Sequence, residues 1–218
     1  FDDLREMARE VDGKVVHHGA QFVVTQTGDE YPQIHRIVWC GAANDTLSQF
    51  GRDPRLVSTV SQLLGSPKLE QLINQAHFKM PGDEVTFQWH QDSVHRRYGT
   101  DMWTDIDGDG SFIETATAID PMTRQNGPLR FIPGSHELGH VHPDPETGEL
   151  PSDVFDPEDA VTLTMDPGDV ALFGPFVIHG SGPNRSSHPR RLFLNGFALP
   201  GANHRDYPGD GAGRTVSV

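Results

Sequence analysis

Apolar residues near the start of the chain recur at helical intervals. Phe1, Leu4, Ala8 and Val11 fall on one side and predict an amphipathic α-helix over the opening dozen residues. A second helix is better marked: Asp53 is placed to cap it, Pro54 suits its first turn, Leu56, Val57, Val60, Leu63 and Leu64 form its apolar stripe, and Gly65 ends it. Short runs with partial alternation predict strands at Gln21–Thr25, Ile34–Trp39, Gln75–Met80, Val85–His90, Phe112–Ile119, Leu129–Ile132, Val161–Met165, Val170–Phe173 and Leu192–Ala198. Pro-Gly, Asp-Gly and Asn-Gly pairs punctuate them. Helices followed by many antiparallel strands predict a mainly β chain with flanking helices, a helix-backed double sheet of the jelly-roll kind. Residues 1–218 read as a single domain, with a helical N-terminal part over about 1–66, a jelly-roll core over about 67–200 and a tail over 201–218. The segment His140–Ala160 is too rich in proline and acid for core and reads as a surface excursion or a mobile lid.

Composition narrows this picture. The 218 residues suffice for one domain with a real core, and 23 glycines and 17 prolines point away from a helical bundle. The net charge of −14 disfavours nucleic acid and anionic membranes as partners, because both would repel the surface. No run approaches the ~18 apolar residues of a membrane span, and the opening FDDLREMARE lacks the basic and apolar regions of a signal peptide. Cys40 is the lone cysteine, so a reducing, cytoplasmic location is the expectation. The glycosylation-like triplets Asn44-Asp45-Thr46 and Asn184-Arg185-Ser186 then read as chance.

Candidate chemistry concentrates in Trp89-His90-Gln91-Asp92 and in His179 far downstream. His90 and Asp92 are two residues apart, so at a strand end their side chains leave on the same face. A histidine from a neighbouring strand would complete the two-histidine, one-carboxylate face that non-haem Fe(II) oxygenases use, which leaves other metal positions open. Taken singly, the pair also fits a strand-end turn with a solvated aspartate, and His179 also fits a core histidine.

The flanking residues add more. The chain reads FKMPGDEVTFQWHQD from Phe78, NGPLRFIPGSH over Asn126–His136 and PGDVALFGPFVIHGSGPNRSSHPRR over Pro167–Arg191. From about Gln75 to Phe197 it resembles the phytanoyl-CoA dioxygenase family of Fe(II)- and 2-oxoglutarate-dependent oxygenases. The resemblance implies a double-stranded β-helix (jelly-roll, cupin-like) core and hydroxylation of an unactivated C–H bond of a small molecule at a bound Fe(II), with 2-oxoglutarate and O2 consumed and succinate and CO2 released. It implies that His90, Asp92 and His179 hold iron and that Arg190 grips the far carboxylate of 2-oxoglutarate. A guanidinium suits that role through two parallel hydrogen bonds, and Arg191 is the competitor. If a strand begins at Arg190, the two arginines point to opposite faces and only one reaches the pocket. Lys79 matches a second family residue that reaches 2-oxoglutarate, and Gln91 could donate to the cosubstrate or support the ligands from behind.

Gln75 and His77 share the strand face of Lys79 and are expected to line the cavity. His136 is expected to be structural. Substrate contacts are expected from the insertion spanning 93–112, with His95, Arg96, Arg97, Tyr98 and Trp103 as candidates, from the acidic excursion His140–Ala160, and from Glu114 and Arg130 on strands. The chain departs from some relatives by placing small residues, Thr115, Ala116 and Thr117, where they carry a large aromatic. Asp92 argues against a halogenase, which keeps that metal position for chloride. Asp105-Ile-Asp107-Gly-Asp109-Gly110 imitates the start of an EF-hand loop, but its twelfth position would be Ala116 rather than a glutamate, so a turn is expected. Gly209-Asp-Gly211-Ala-Gly213 is not expected to bind a dinucleotide, since no strand-to-helix unit surrounds it. A zinc hydrolase and a non-catalytic metal-binding jelly roll remain the alternatives. The substrate and the oligomeric state are not legible.

Overall fold

A computed structural model describes residues 1–206 and 214–218, so the Gly209–Gly213 segment lies outside the described residues. In chain order the elements are α1 (Asp2–Ala8), β1 (Gly13–His17), β2 (Ala20–Thr25), β3 (Gln33–Val38), α2 (Asp45–Phe50), α3 (Pro54–Leu64), β4 (Lys68–Lys79), β5 (Phe87–His90), α4 (Asp92–Arg96), β6 (Phe112–Ala118), β7 (Arg130–Phe131), β8 (Val161–Thr162), β9 (Val170–Phe173), β10 (His179–Ser181), β11 (Arg190–Ala198) and β12 (Arg214–Ser217). Two antiparallel sheets result. The larger runs β1-β2-β3-β4-β11-β6-β9 with β12 also on β4, and the smaller runs β5-β10-β7-β8. Among the described residues no helix is long and apolar enough to cross a membrane.

The second helix forms where its stripe and caps place it. Asp53 accepts the Arg55 amide at 2.9 Å, and Gly65 turns left-handed at φ 64° to end it. Leu56, Val57, Val60 and Leu64 of its stripe pack with Leu69, Phe197 and Val216 on the back of the large sheet, whereas Leu63 is exposed. Leu4 and Ala8 of α1 pack with Phe22, Ile37, Phe78 and Phe193 on the same side. The other face of the sheet is turned to the smaller sheet, and the cavity lies between them.

Several elements depart from the expectations. Within the first 66 residues β2 and β3 form where alternation predicts strands, but β1 and α2 are additional elements that show no clear apolar period: β1 has no buried residue and α2 has one, Leu47. The fourth strand begins at Lys68 rather than Gln75, because its alternation breaks midway. The β11 pairing steps from Gly196↔Ile73 to Phe197↔Gln71, which leaves Leu72 as the bulged residue and reverses the facing of everything before it. The three residues of β10, His-Gly-Ser, are all buried and so show no alternation. Asp92 begins the short helix α4 instead of ending a strand. The excursion at 140–160 consists of turns and irregular chain with one 3-10 helix at Pro157–Asp159, and Phe155 packs on Trp89 with ring centroids 5.6 Å apart.

Candidate active site

Two strand ends and one helix start converge at one side of the cavity. His179 opens β10 and pairs in register with His90, the last residue of β5, and their ring centroids lie 4.3 Å apart. Each ring is held through Nδ1 by a backbone carbonyl two residues back, His90 to Gln88 at 2.6 Å and His179 to Val177 at 3.0 Å. That contact leaves both Nε2 atoms to face outward from the backbone as acceptors, the form a metal needs. Gln91 is extended, with φ −111° and ψ 141°, so Asp92 still emerges beside His90 despite belonging to α4, and its Oδ1 lies 4.0 Å from His90 Nε2. Asp92 Oδ2 is buried with no hydrogen-bond partner. Burial opposes its ionisation, but His179, His90, His95 and Arg96 together hold the carboxyl below its usual range. Burial draws His179 down to about 4, which keeps it neutral near pH 7. This donor set fits a divalent metal: two oriented imidazoles and a carboxylate with a free, desolvated oxygen.

His95, on the exposed side of α4, was only a general substrate candidate, yet it joins this cluster. Ligand-capable atoms of His90, Asp92 and His95 all lie within 4.8 Å of one another. The three-residue step from Asp92 along a helical turn is the signal that would have found it. His179 differs from His95 in its surroundings. It is 6% exposed, stands opposite His90 and is oriented by Val177, whereas His95 is exposed.

A cavity of about 290 Å³ opens beside the cluster, with Arg190 in its wall. Arg190 begins β11 opposite Lys79 and is 1% exposed. Its Nε and Nη2 donate to the Gly127 carbonyl at 3.1 and 2.7 Å. Gly127 explains its own place in the Asn-Gly pair: φ is +73°, and a Cβ there would stand 2.6 Å from the Gly182 carbonyl. Arg191 points the other way, as strand alternation requires, and binds Asp120 through Nε and Nη2, both at 2.8 Å, and Asp2 through Nη1 at 2.9 Å. Among the described residues no carboxylate pairs with Arg190 or Lys79. Burial lowers Arg190 to about 9, and burial followed by Arg190 lowers Lys79 to about 6. A buried guanidinium on a cavity wall with only a carbonyl for company fits an anionic cosubstrate end.

Four expectations need correction. Lys79 Nζ does not line the cavity: it is spent on Ser181 Oγ at 2.8 Å, Ser181 O at 3.3 Å and Gly182 O at 2.5 Å. Gln91 has no capacity left for a cosubstrate, since its amide donates to Gly139 O and Phe176 O at 2.9 and 2.6 Å and accepts from the Val141 amide at 2.8 Å. Trp103 is 5% exposed and packed with Val38, Trp39, Leu72 and Phe112, its indole donating to Gly110 O. Arg130 lies outside the cavity, over the Trp89 ring at 5.3 Å and bonded to Pro157 O at 3.0 Å, so it anchors the excursion.

Gln75, His77 and Glu114 do line the cavity. His77 stacks on Phe87 at 5.0 Å, and burial, reinforced by Arg190 and Arg36, keeps it neutral. Arg36 and Ser181 are lining residues that sequence reasoning missed, though the two-residue step from His179 could have indicated Ser181. The Asp105–Gly110 loop is a turn that caps itself, with Asp105 Oδ1 accepting the Gly108 and Gly110 amides and Asp107 Oδ1 those of Asp109 and Ser111.

Comparison with known proteins gives the family. The chain is 29% identical over 180 residues to a probable alpha-ketoglutarate-dependent hypophosphite dioxygenase of Stutzerimonas stutzeri, covering 75% of this chain and 59% of that protein. It is 25% identical over 219 residues to an L-proline trans-4-hydroxylase of Streptomyces griseoviridis, covering 88% and 76%. The fold matches the apo crystal structure of EctD from S. alaskensis with a TM-score of 0.66 at 23% identity, covering 86% of this chain and 64% of that one. The chain thus spans under two thirds of the first relative's length. The model of the phytanoyl-CoA dioxygenase family matches residues 5–192, and the chain belongs to that family of Fe(II)- and 2-oxoglutarate-dependent dioxygenases.

Proposed function

We propose that this chain is an Fe(II)- and 2-oxoglutarate-dependent oxygenase that hydroxylates an unactivated C–H bond of a small molecule and releases succinate and CO2. The observation that carries this reading is the buried, unpartnered Asp92 Oδ2 between two histidines that are each turned by a carbonyl at Nδ1. His90, Asp92 and His179 would hold the metal. Bound iron, with 2-oxoglutarate and O2, supplies the oxidising power for C–H hydroxylation.

The chain's own share is placement and exclusion. Arg190 receives the far carboxylate of 2-oxoglutarate, with Gly127 O fixing the guanidinium plane. Lys79, drawn down to about 6 by burial and so neutral near pH 7, braces Ser181 and Gly182, the residues just past His179. Phe173, Leu192 and Leu194 make that wall apolar, which favours a substrate C–H bond over water. Gln91 ties the segment that carries the metal ligands to Gly139, Val141 and Phe176, so the base of the excursion is fixed to the site. Cys40, buried and unpaired, suits a reducing cytoplasm.

The test is an anaerobic titration of Fe(II) with 2-oxoglutarate, read by the weak visible charge-transfer band of the chelate. A band in the wild type that is lost in His179→Ala and weakened in Arg190→Ala supports the reading. A folded, iron-loaded wild type without a band overturns it.

A further inference from the structure

One carboxyl on the cavity wall has no hydrogen-bond partner among the described residues. Glu114 lies on β6 opposite Gly196 of β11 and Phe173 of β9, and is 4% exposed. Its Oε2 is buried without a hydrogen bond; burial and the nearby Asp92 push the carboxyl well above its usual range, and the charge of Arg96 opposes them without a hydrogen bond to it among the described residues. Room is kept for it, because a Cβ on Gly196 would stand 2.8 Å from Glu114 Oε2 and 2.6 Å from the Phe112 ring. Leu194 and Ala116, the next pair on this face, are apolar. A carboxyl left unmet among such neighbours is costly, and a ligand that meets it recovers that cost.

The remaining charges on the lining have the opposite sign. Apart from Asp92 and Glu114, the charged side chains are Lys14, Arg36, Arg96, Arg190 and Arg205, in a chain whose net charge is −14. Arg36 stands on β3, on the same sheet face as Glu114, and its charge reaches both His77 and His95. Three strand steps separate the two residues, roughly 14 Å between backbones across the sheet. A plain amine would meet Glu114 but be repelled by the cations, and a plain anion would leave Glu114 unmet. A molecule bearing both charges satisfies both ends.

We propose that the substrate is a small zwitterion, its cationic nitrogen on Glu114 and its acid group on Arg36. This rests on the oxygenase reading above and names the substrate class for the same site.

The experiment uses L-proline, 4-aminobutyrate and 6-aminohexanoate, each beside its N-acetyl derivative and its methyl ester. Binding is read as perturbation of the iron–2-oxoglutarate band under anaerobic conditions, and separately by thermal shift without iron. At least one free zwitterion is expected to bind tenfold or more tightly than both of its masked forms. Glu114→Gln should remove the advantage over the N-acetyl form, and Arg36→Gln the advantage over the ester. The proposal is overturned if no zwitterion outbinds its masked forms, or if both variants keep the wild-type preference. A missing band with the zwitterion-dependent thermal shift intact counts against the oxygenase reading alone.

Discussion

His90 and His179 face each other directly across β5 and β10, ring centroids 4.3 Å apart, although 88 positions intervene between them in the chain. Their registry and their matching Nδ1 contacts make them a pair, and His95 stands outside that pairing. His90→Ala and His179→Ala should each lose stoichiometric Fe(II), with affinity falling at least ~100-fold. His95→Ala should retain it. Metal content after gel filtration decides this, and iron lost only in His95→Ala would reassign the third ligand.

Arg190 and Arg191 give opposite outcomes. Arg190→Gln should weaken 2-oxoglutarate binding by ~100-fold or more, since a desolvated bidentate contact is lost. Arg191→Gln should leave that affinity within a few-fold but cost about 2 kcal/mol of stability, because it breaks the partly buried pairing with Asp120. Calorimetric titration and urea midpoints read the two effects separately.

Lys79 predicts a pH dependence. Its pKa falls from the ordinary 10.5 to about 6 in the fold. Between those values the unfolded chain binds a proton that the folded chain does not, so this group makes the ligand-free protein more stable as pH rises through the window. The slope is at most ~1.4 kcal/mol per pH unit. Urea midpoints from pH 6.5 to 9 should rise in the wild type relative to Lys79→Met, and a slope of the opposite sign would exclude Lys79 as its source.

Trp103 predicts a purely structural effect. Trp103→Ala should cost roughly 3–5 kcal/mol by leaving a cavity among Val38, Trp39, Leu72 and Phe112. In the fraction that remains folded, the 2-oxoglutarate band should be unchanged. A lost band in folded Trp103→Ala would place the indole nearer the chemistry than its burial indicates.

Gln91 predicts an effect at a distance. Gln91→Leu removes three hydrogen bonds that tie residues 139–141 and Phe176 to the ligand segment. Limited proteolysis should then cut the 140–160 excursion at least severalfold faster than in the wild type. Equal cutting rates would show that Phe155 on Trp89 and Arg130 on Pro157 hold the excursion alone.

Local rules wrote part of this protein into its sequence. Asp53, Pro54 and Gly65 wrote the caps of α3, strand alternation separated Arg190 from Arg191, and the two-residue step from His90 to Asp92 put both side chains on one side. The combined motifs then indicated the family. Strand pairing and the occupation of polar valences arise only on folding. The bulge at Leu72 redirects half of β4, which no local pattern marked. Lys79 and Gln91 have the right chemistry for a cosubstrate, but Ser181, Gly182, Gly139, Val141 and Phe176 already use their polar atoms. Trp103 has the character of a substrate contact and lies in core because its strand-flanking neighbours enclose it. His95 and Arg36 reach the cavity through contacts between segments far apart in the chain. A residue type states what a side chain can do, and the neighbours brought to it by folding leave that capacity free or consume it.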